Sequence, residues 1–303
     1  MHRKMLSIRV FVILGLTLLF ASFAGVQAQN LSPEEIISRH IESLGKPDDI
    51  AKTKLRVAVG GSEFVIRSTS RRAKGVVYLA SNGADMKLLS TFDMRDYPNE
   101  RIGLFSNKIN VPTIENGQRG PLGKFLNSYD RILNERLFGG CVFSTWLFLS
   151  PDAPKGRLET VGKKKLGDRD VWVVKYSPKG GLTTGSYIKL YFDAENFHHL
   201  RTEFRQKETE QGFHDTGSKA NPQNPANWDA DMAANGSKIT EDFSDYRIDG
   251  SLMLPHKYTI LLEIDSYNGT ALFDYFFTIN EYKLFKEFPA NIFTFQTAAN
   301  KTN

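Results

Sequence analysis

The chain reads as a mainly β protein of the α+β class, an antiparallel sheet with helices on one face. Three observations predict this. Short runs of period-two alternation follow one another closely from residue 54 onward, two stretches switch to helical periodicity, and strong hairpin signals such as Asn268-Gly269 separate the later strands. Composition agrees with an ordinary folded chain: of 303 residues 41% are hydrophobic, 24% charged and 12% aromatic, which excludes wholesale disorder and collagen-like structure.

The elements follow in order. Arg3, Lys4 and Arg9 precede the apolar core of residues 10–20, and Val26-Gln27-Ala28 offers small residues at the cleavage spacing. This is the pattern of a secretory signal peptide over residues 1–28, cleaved after Ala28. An apolar core this short lies near the lower limit for a retained membrane anchor. Removing the three basic residues of this segment leaves 36 Lys+Arg against 34 Asp+Glu, so the formal charge drops from +5 to +2. The basicity is largely a targeting signal, and a nucleic-acid partner loses its main support. The residue directly after the cleavage site is Gln29 and not a cysteine, so the exported protein, expected in the periplasm, is not expected to be lipidated itself. Residues 29–303 are expected to form one domain with a core large enough to stand without disulfides. Cys141, the only cysteine, sits in an apolar stretch and reads as a buried structural residue.

Ser32-Pro33-Glu34-Glu35 opens a helix, with Ser as N-cap, Pro in the first turn and Glu35 at the capping-box position. Ile36, Ile37, Ile41 and Leu44 share a face, and Gly45 with Pro47 ends it. Leu55, Val57 and Val59 then alternate with Arg56 and Ala58, Gly60-Gly61 reads as a turn, and residues 64–66, 75–80, 86–92 and 101–106 continue an antiparallel meander.

Residues 122–137 interrupt it with apolar residues at spacings of three and four, an amphipathic helix ended by Gly139-Gly140. A second apolar piece, residues 142–149, carries Trp146 and Phe148. These aromatics either plug one side of a curved sheet or line a cavity within it. Strands resume at Arg157 and run to Phe288-Pro289, with a long Asn-, Gly-, Pro- and Asp-rich segment over 215–238 expected as a mobile loop whose Trp228 is a possible lid.

Catalytic and metal signatures are largely missing. There is no Gly-x-Ser-x-Gly and no His-Glu-x-x-His, and residues 117–124 lack the spacing and the Ser/Thr of a phosphate loop. His198 and His199 are adjacent, so on a strand they point to opposite faces and do not converge on one ion. Glu241, Asp242 and Asp245 are read as a strand's solvent face, and Lys163-Lys164-Lys165 as a solvated hairpin end that could touch anionic headgroups. No cofactor, metal site or catalytic residue is predicted.

Several of these features together resemble the LolA/LolB-like lipoprotein-carrier superfamily, that of outer membrane lipoprotein-sorting proteins. They are the export signal with Ser32-Pro33-Glu34-Glu35-Ile36-Ile37, the hairpin from Tyr187-Ile188-Lys189-Leu190-Tyr191-Phe192-Asp193 through His199-Leu200-Arg201-Thr202-Glu203-Phe204, and Phe243-Ser244-Asp245-Tyr246-Arg247 before Asp249-Gly250 and Leu254-Pro255. The resemblance implies an incomplete antiparallel β-barrel whose concave face is covered by helices, with acyl chains of a lipid or lipoprotein held in an apolar cavity between them. Residues 122–149 would be the cover. Phe125, Leu126, Tyr129, Leu133, Phe138, Trp146 and Phe148 form the pool expected to contain cavity residues. The function this predicts is non-enzymatic, a carrier or sensor with transient contact to a membrane surface and possibly an envelope protein as partner. The alternative is an envelope structural or interaction module without lipid cargo, which would have a filled core.

Overall fold

The computed structural model describes residues 31–114, 117–151, 153, 155–207, 236–266, 269–289 and 291–295. The described residues from Ser32 onward belong to one compact unit. Residues 1–28, expected as a signal peptide, most of the 215–238 stretch and Trp228 lie outside the described residues.

Twelve strands form one antiparallel sheet: β1 (Arg56–Ile66), β2 (Arg71–Ser81), β3 (Met86–Thr91), β4 (Asn99–Phe105), β5 (Lys108–Asn110), β6 (Arg157–Leu166), β7 (Arg169–Ser177), β8 (Tyr187–Asp193), β9 (His199–Gln206), β10 (Gly236–Asp249), β11 (Leu252–Ser266) and β12 (Gly269–Leu284). Their order is β5-β4-β3-β2-β1-β12-β11-β10-β9-β8-β7-β6. Two meanders, β1 to β5 and β6 to β12, therefore meet at one seam, the pairing of β1 with β12. Among the described residues the sheet does not close, and β5 and β6 are its end strands.

Curvature follows from what spans it. Helix α1 (Pro33–Leu44) packs against both β6 and β11. Those strands are five places apart, about 24 Å on a flat sheet, whereas twelve helical residues reach only about 18 Å. The sheet must curl to bring both to one short helix. The helix itself forms as its caps predict: the Ser32 hydroxyl accepts from the Glu35 amide at 3.1 Å, and Ile36, Ile37, His40 and Leu44 are buried. A second helix, α2 (Pro47–Lys52), which the sequence pattern does not signal, follows it.

Three expectations need correction. Gly60-Gly61 is not a turn, because β1 runs straight through it. The register steps between Val59 and Gly60, opposite an extra residue of β12, and a Cβ at Gly60 would overlap the Thr278 carbonyl. The glycine pair thus serves a bulge that lets two strand backbones approach. The helix expected over 122–137 is broken into α3 (Pro121–Ser128) and α4 (Arg131–Asn134). The apolar spacing is real, but each piece follows the curved sheet separately. Gly236, Ser237 and Lys238, placed in the long loop, begin β10.

The two faces of the sheet bury different things. On the concave side, Phe64 packs on Phe92, Phe273 and Tyr275, while Phe243, Tyr258 and Phe277 form a second aromatic row. On the convex side a smaller cluster forms around Val57, Ala80 and Phe293. There the Lys87 ammonium donates to the carbonyls of Ile292 and Thr294 at 3.0 and 2.8 Å, strapping the tail across β1 to β3.

Candidate functional site: the covered concave face

The covering segment, residues 121–150, lies on the concave aromatics. Its pieces are α3, α4 and a 3-10 turn, Gly140–Val142, entered through Gly139 and Gly140 at φ 74° and 50°. Both glycines are required, since side chains resist this left-handed backbone and a Cβ at Gly139 would strike the Phe143 ring.

The residues proposed as cavity lining all lie in this segment. Phe125, Leu126, Leu133, Phe138 and Trp146 are between 0 and 2% exposed, and Tyr129 and Phe148 are half-buried. Phe125 meets Phe204 of β9 with ring centroids 6.1 Å apart. Phe138 meets Tyr258 of β11, and Trp146 stacks on His199 at 4.8 Å while His40 of α1 abuts it edge-on at 5.1 Å. Exposure this low means that no water-sized gap adjoins the five buried side chains: in this conformation the interface between cover and sheet is filled. A polar cleft of about 200 Å³ opens elsewhere, between Ser128–Arg131 of the cover and Gly181–Thr183 with Gln206.

Polar pins hold the cover at defined points. At its start, Glu100 of β4 accepts from the amides of Leu122 and Gly123 at 3.1 and 3.0 Å, and from the Tyr275 hydroxyl at 2.8 Å. In its middle, the Tyr176 hydroxyl of β7 donates to Glu135. Four residues further on, Glu241 of β10 accepts from the Gly139 amide at 2.7 Å and the Tyr258 hydroxyl at 2.5 Å. Arg56 of β1 donates to the Cys141 carbonyl at 2.5 Å, and Ser144 donates through its amide to the Ser81 hydroxyl and through its hydroxyl to the Lys54 carbonyl.

Electrostatically the site is unusual in what it lacks. Arg56 is 2% exposed, and among the described residues no carboxylate pairs with it; its Nε has no partner. Burial therefore pulls its guanidinium below the ordinary range. Burial likewise pushes Glu100 and Glu241 up to about 7, and His40 down to about 3. His199 is pushed well below its ordinary value by the same cause, with His40 adding to it. Cys141 is fully buried and raised to about 11, so it is no nucleophile near neutral pH.

Other sequence readings resolve here. Glu241 is not on the solvent face, as was expected: it is 0% exposed and points into the core, while Asp242 faces out and forms a bidentate pair with Arg201. Asp245 pairs with Arg247 at the surface. The strand alternation that separates His198 from His199 applies equally to Glu241 and Asp242, and it is the signal that could have found Glu241. His199 is fully buried, whereas His198 stacks on Tyr246 at 4.2 Å. Arg56 shares the inner face of β1 with Ala58, Ser62 and Phe64, while Val57 and Val59, the apolar row that the alternation singles out, face the convex cluster.

No family model and no curated protein matches the chain. Among solved structures it is similar to a LolA superfamily protein from Nitrosomonas europaea, at 14% identity over 87% of this chain and 98% of that one, with a TM-score of 0.43. It is also similar to an outer membrane lipoprotein-sorting protein domain from Vibrio parahaemolyticus, at 13% identity over 85% of this chain and 95% of that one, with a TM-score of 0.43.

Proposed function

We propose that this protein is an exported, non-enzymatic carrier or sensor, working in the periplasm, that takes up an acyl chain of a lipid or lipoprotein between its concave sheet and the covering segment. The observation that carries the reading is Arg56. A buried guanidinium without a counter-anion is a poor way to stabilise a core. Its acceptor is a main-chain carbonyl of the cover, which is replaceable: when the cover lifts, the same donors are free for an ester or carboxyl oxygen at the head of an incoming chain. The surfaces that would separate are aromatic and aliphatic, and each methylene they receive gains about 0.8 kcal/mol. Because the interface is filled when closed, uptake requires displacement of the cover rather than entry into a standing cavity.

The filled interface also favours a second reading, an envelope interaction module whose core is simply packed. Native mass spectrometry with lipid extraction, on protein made in an exporting host and purified without detergent, separates the two. Stoichiometric lipid, or saturable uptake of a fluorescent fatty acid that Arg56→Leu weakens at least tenfold, supports the carrier. Protein that is empty and refuses titration overturns it in favour of the interaction module.

A further inference from the structure

Three consecutive residues of the cover, Gly139, Gly140 and Cys141, each lie on a different polar side chain of the sheet. The Gly139 amide donates to Oε1 of Glu241 on β10, as does the Tyr258 hydroxyl. A Cβ at Gly140 would come within 2.9 Å of Nδ1 of His199 on β9. The Cys141 carbonyl accepts from Nη2 of Arg56 on β1. These three side chains are 0 to 2% exposed, and each keeps one polar atom without a partner: Oε2 of Glu241, Nδ1 of His199 and Nε of Arg56. For His199 the geometry fixes what kind of atom this is. Its Nε2 lies 3.0 Å from the Arg201 carbonyl, which can only accept, so Nε2 carries the ring hydrogen and Nδ1 is a bare acceptor. Both donors on Oε1 of Glu241 favour the carboxylate, whose Oε2 is then an acceptor too. A stretch of backbone at most about 8 Å long between its end Cα atoms thus covers two unmet acceptors and one unmet donor.

We propose that Arg56, His199 and Glu241 form a head-group site, closed off by this turn, for an acyl ester that carries a free hydroxyl beside the ester, the chemistry of a mono- or diacylglycerol. The inference deepens the carrier reading and rests on it, since the site is uncovered when Gly139–Cys141 lifts. Arg56 then donates to the ester carbonyl, while Oε2 of Glu241 and Nδ1 of His199 accept from the hydroxyl end. An ester without hydroxyls leaves both acceptors stripped of water and unmet, and a site built to hydrogen-bond a hydroxyl rejects the analogue that lacks it. An ammonium group would satisfy the same acceptors, but it brings a second cation into a site that already holds Arg56. A hydroxyl adds no charge and meets no such repulsion. Aromatic rings flank the turn, Phe143 at Gly139 and Phe243 at Gly140, so the acyl chain has an apolar wall beside its polar end.

The test is displacement of a fluorescent fatty acid from the exported protein at pH 8, above the value of about 7 to which burial raises Glu241. Two competitors are compared below their micellar concentrations, 1-monododecanoylglycerol and its di-O-methyl ether. The ether keeps the chain, the ester and every oxygen, and loses the hydroxyl hydrogens. Wild type is expected to bind the glyceride about tenfold or more tightly, against the greater hydrophobicity of the ether. His199→Phe keeps a ring against Trp146 but no lone pair, and it is expected to lower that preference about threefold or more. Equal or weaker binding of the glyceride by wild type overturns the proposal, and so does an undiminished preference in His199→Phe. Should that variant not fold, the wild-type preference decides by itself. The carrier reading fails in a different way: the fluorescent fatty acid is then not held at all, and both inferences fall. A fatty acid that is held, with no preference between the two competitors, removes the hydroxyl site alone.

Discussion

Trp146 touches both histidines that line the inner wall, and truncating it should cost more than its size suggests. Trp146→Ala removes the stack on His199 and the edge contact with His40, and unfolding in urea is expected to show a loss of about 3–5 kcal/mol. Arg56 should cost less. Arg56→Met removes a buried charge that has no anion beside it but leaves the Cys141 carbonyl without its donor, so the two effects oppose and the loss of stability is expected to stay below about 3 kcal/mol while acyl retention falls. A larger destabilisation would count against the replaceable-partner role. The titratable groups add a pH signature with two limbs. His40 is held neutral at about 3 against an ordinary 6.5, so its share of stability is complete above pH 6.5 and lost as pH falls toward 3. Glu100 and Glu241 are raised to about 7 against 4.5, so theirs is complete below pH 4.5 and lost as pH rises through 7. Urea midpoints measured from pH 3.5 to 8.5 should fall away on both sides, and His40→Gln should flatten only the acid limb. Much of the inner wall was legible from alternation alone, because side-chain direction on a strand is fixed by parity. What was not legible was the meaning of a charge at an inward position: Glu241 and Arg56 look like surface residues by type, and only burial reveals them as pins.

The elements differ in how far local chemistry decides them. Helix α1 has its own cap, first-turn acids and apolar stripe, so its start and end could be read directly. The cover has none of these at Ser128–Asp130, and the pattern of threes and fours ran across a break that tertiary packing imposes. Gly60 illustrates the reverse error, since paired glycines mark a turn in isolation but here mark a bulge facing β12. Gly60→Ala places a methyl group against the Thr278 carbonyl, and a loss of about 1–3 kcal/mol in thermal or urea unfolding is expected. Gly61→Ala, one residue along with open space about it, serves as the control and should lie within about 1 kcal/mol of wild type.

At the scale of the molecule, the sheet is two meanders joined at a single seam. Every other strand pair links neighbours in the sequence, whereas β1 with β12 joins residues more than two hundred positions apart. The antiparallel meanders and their hairpin signals were readable from turn residues. The seam was not, since nothing local in β1 names β12 as its partner. The cover crosses from the first meander to the second, with one carboxyl pin on each, so it ties the halves together from the inside.

That seam has a consequence for biogenesis. During synthesis or passage through a translocation channel in N-to-C order, the central strand of the finished sheet emerges first among the strands and its partner emerges last. Until then β1 exposes one row of amides and carbonyls, the condition in which chains pair wrongly with one another. Its middle, Gly60-Gly61-Ser62-Glu63, divides two apolar runs with residues of low strand propensity and one charge. The same glycines that admit the bulge in the folded sheet thus act as gatekeepers while the strand waits.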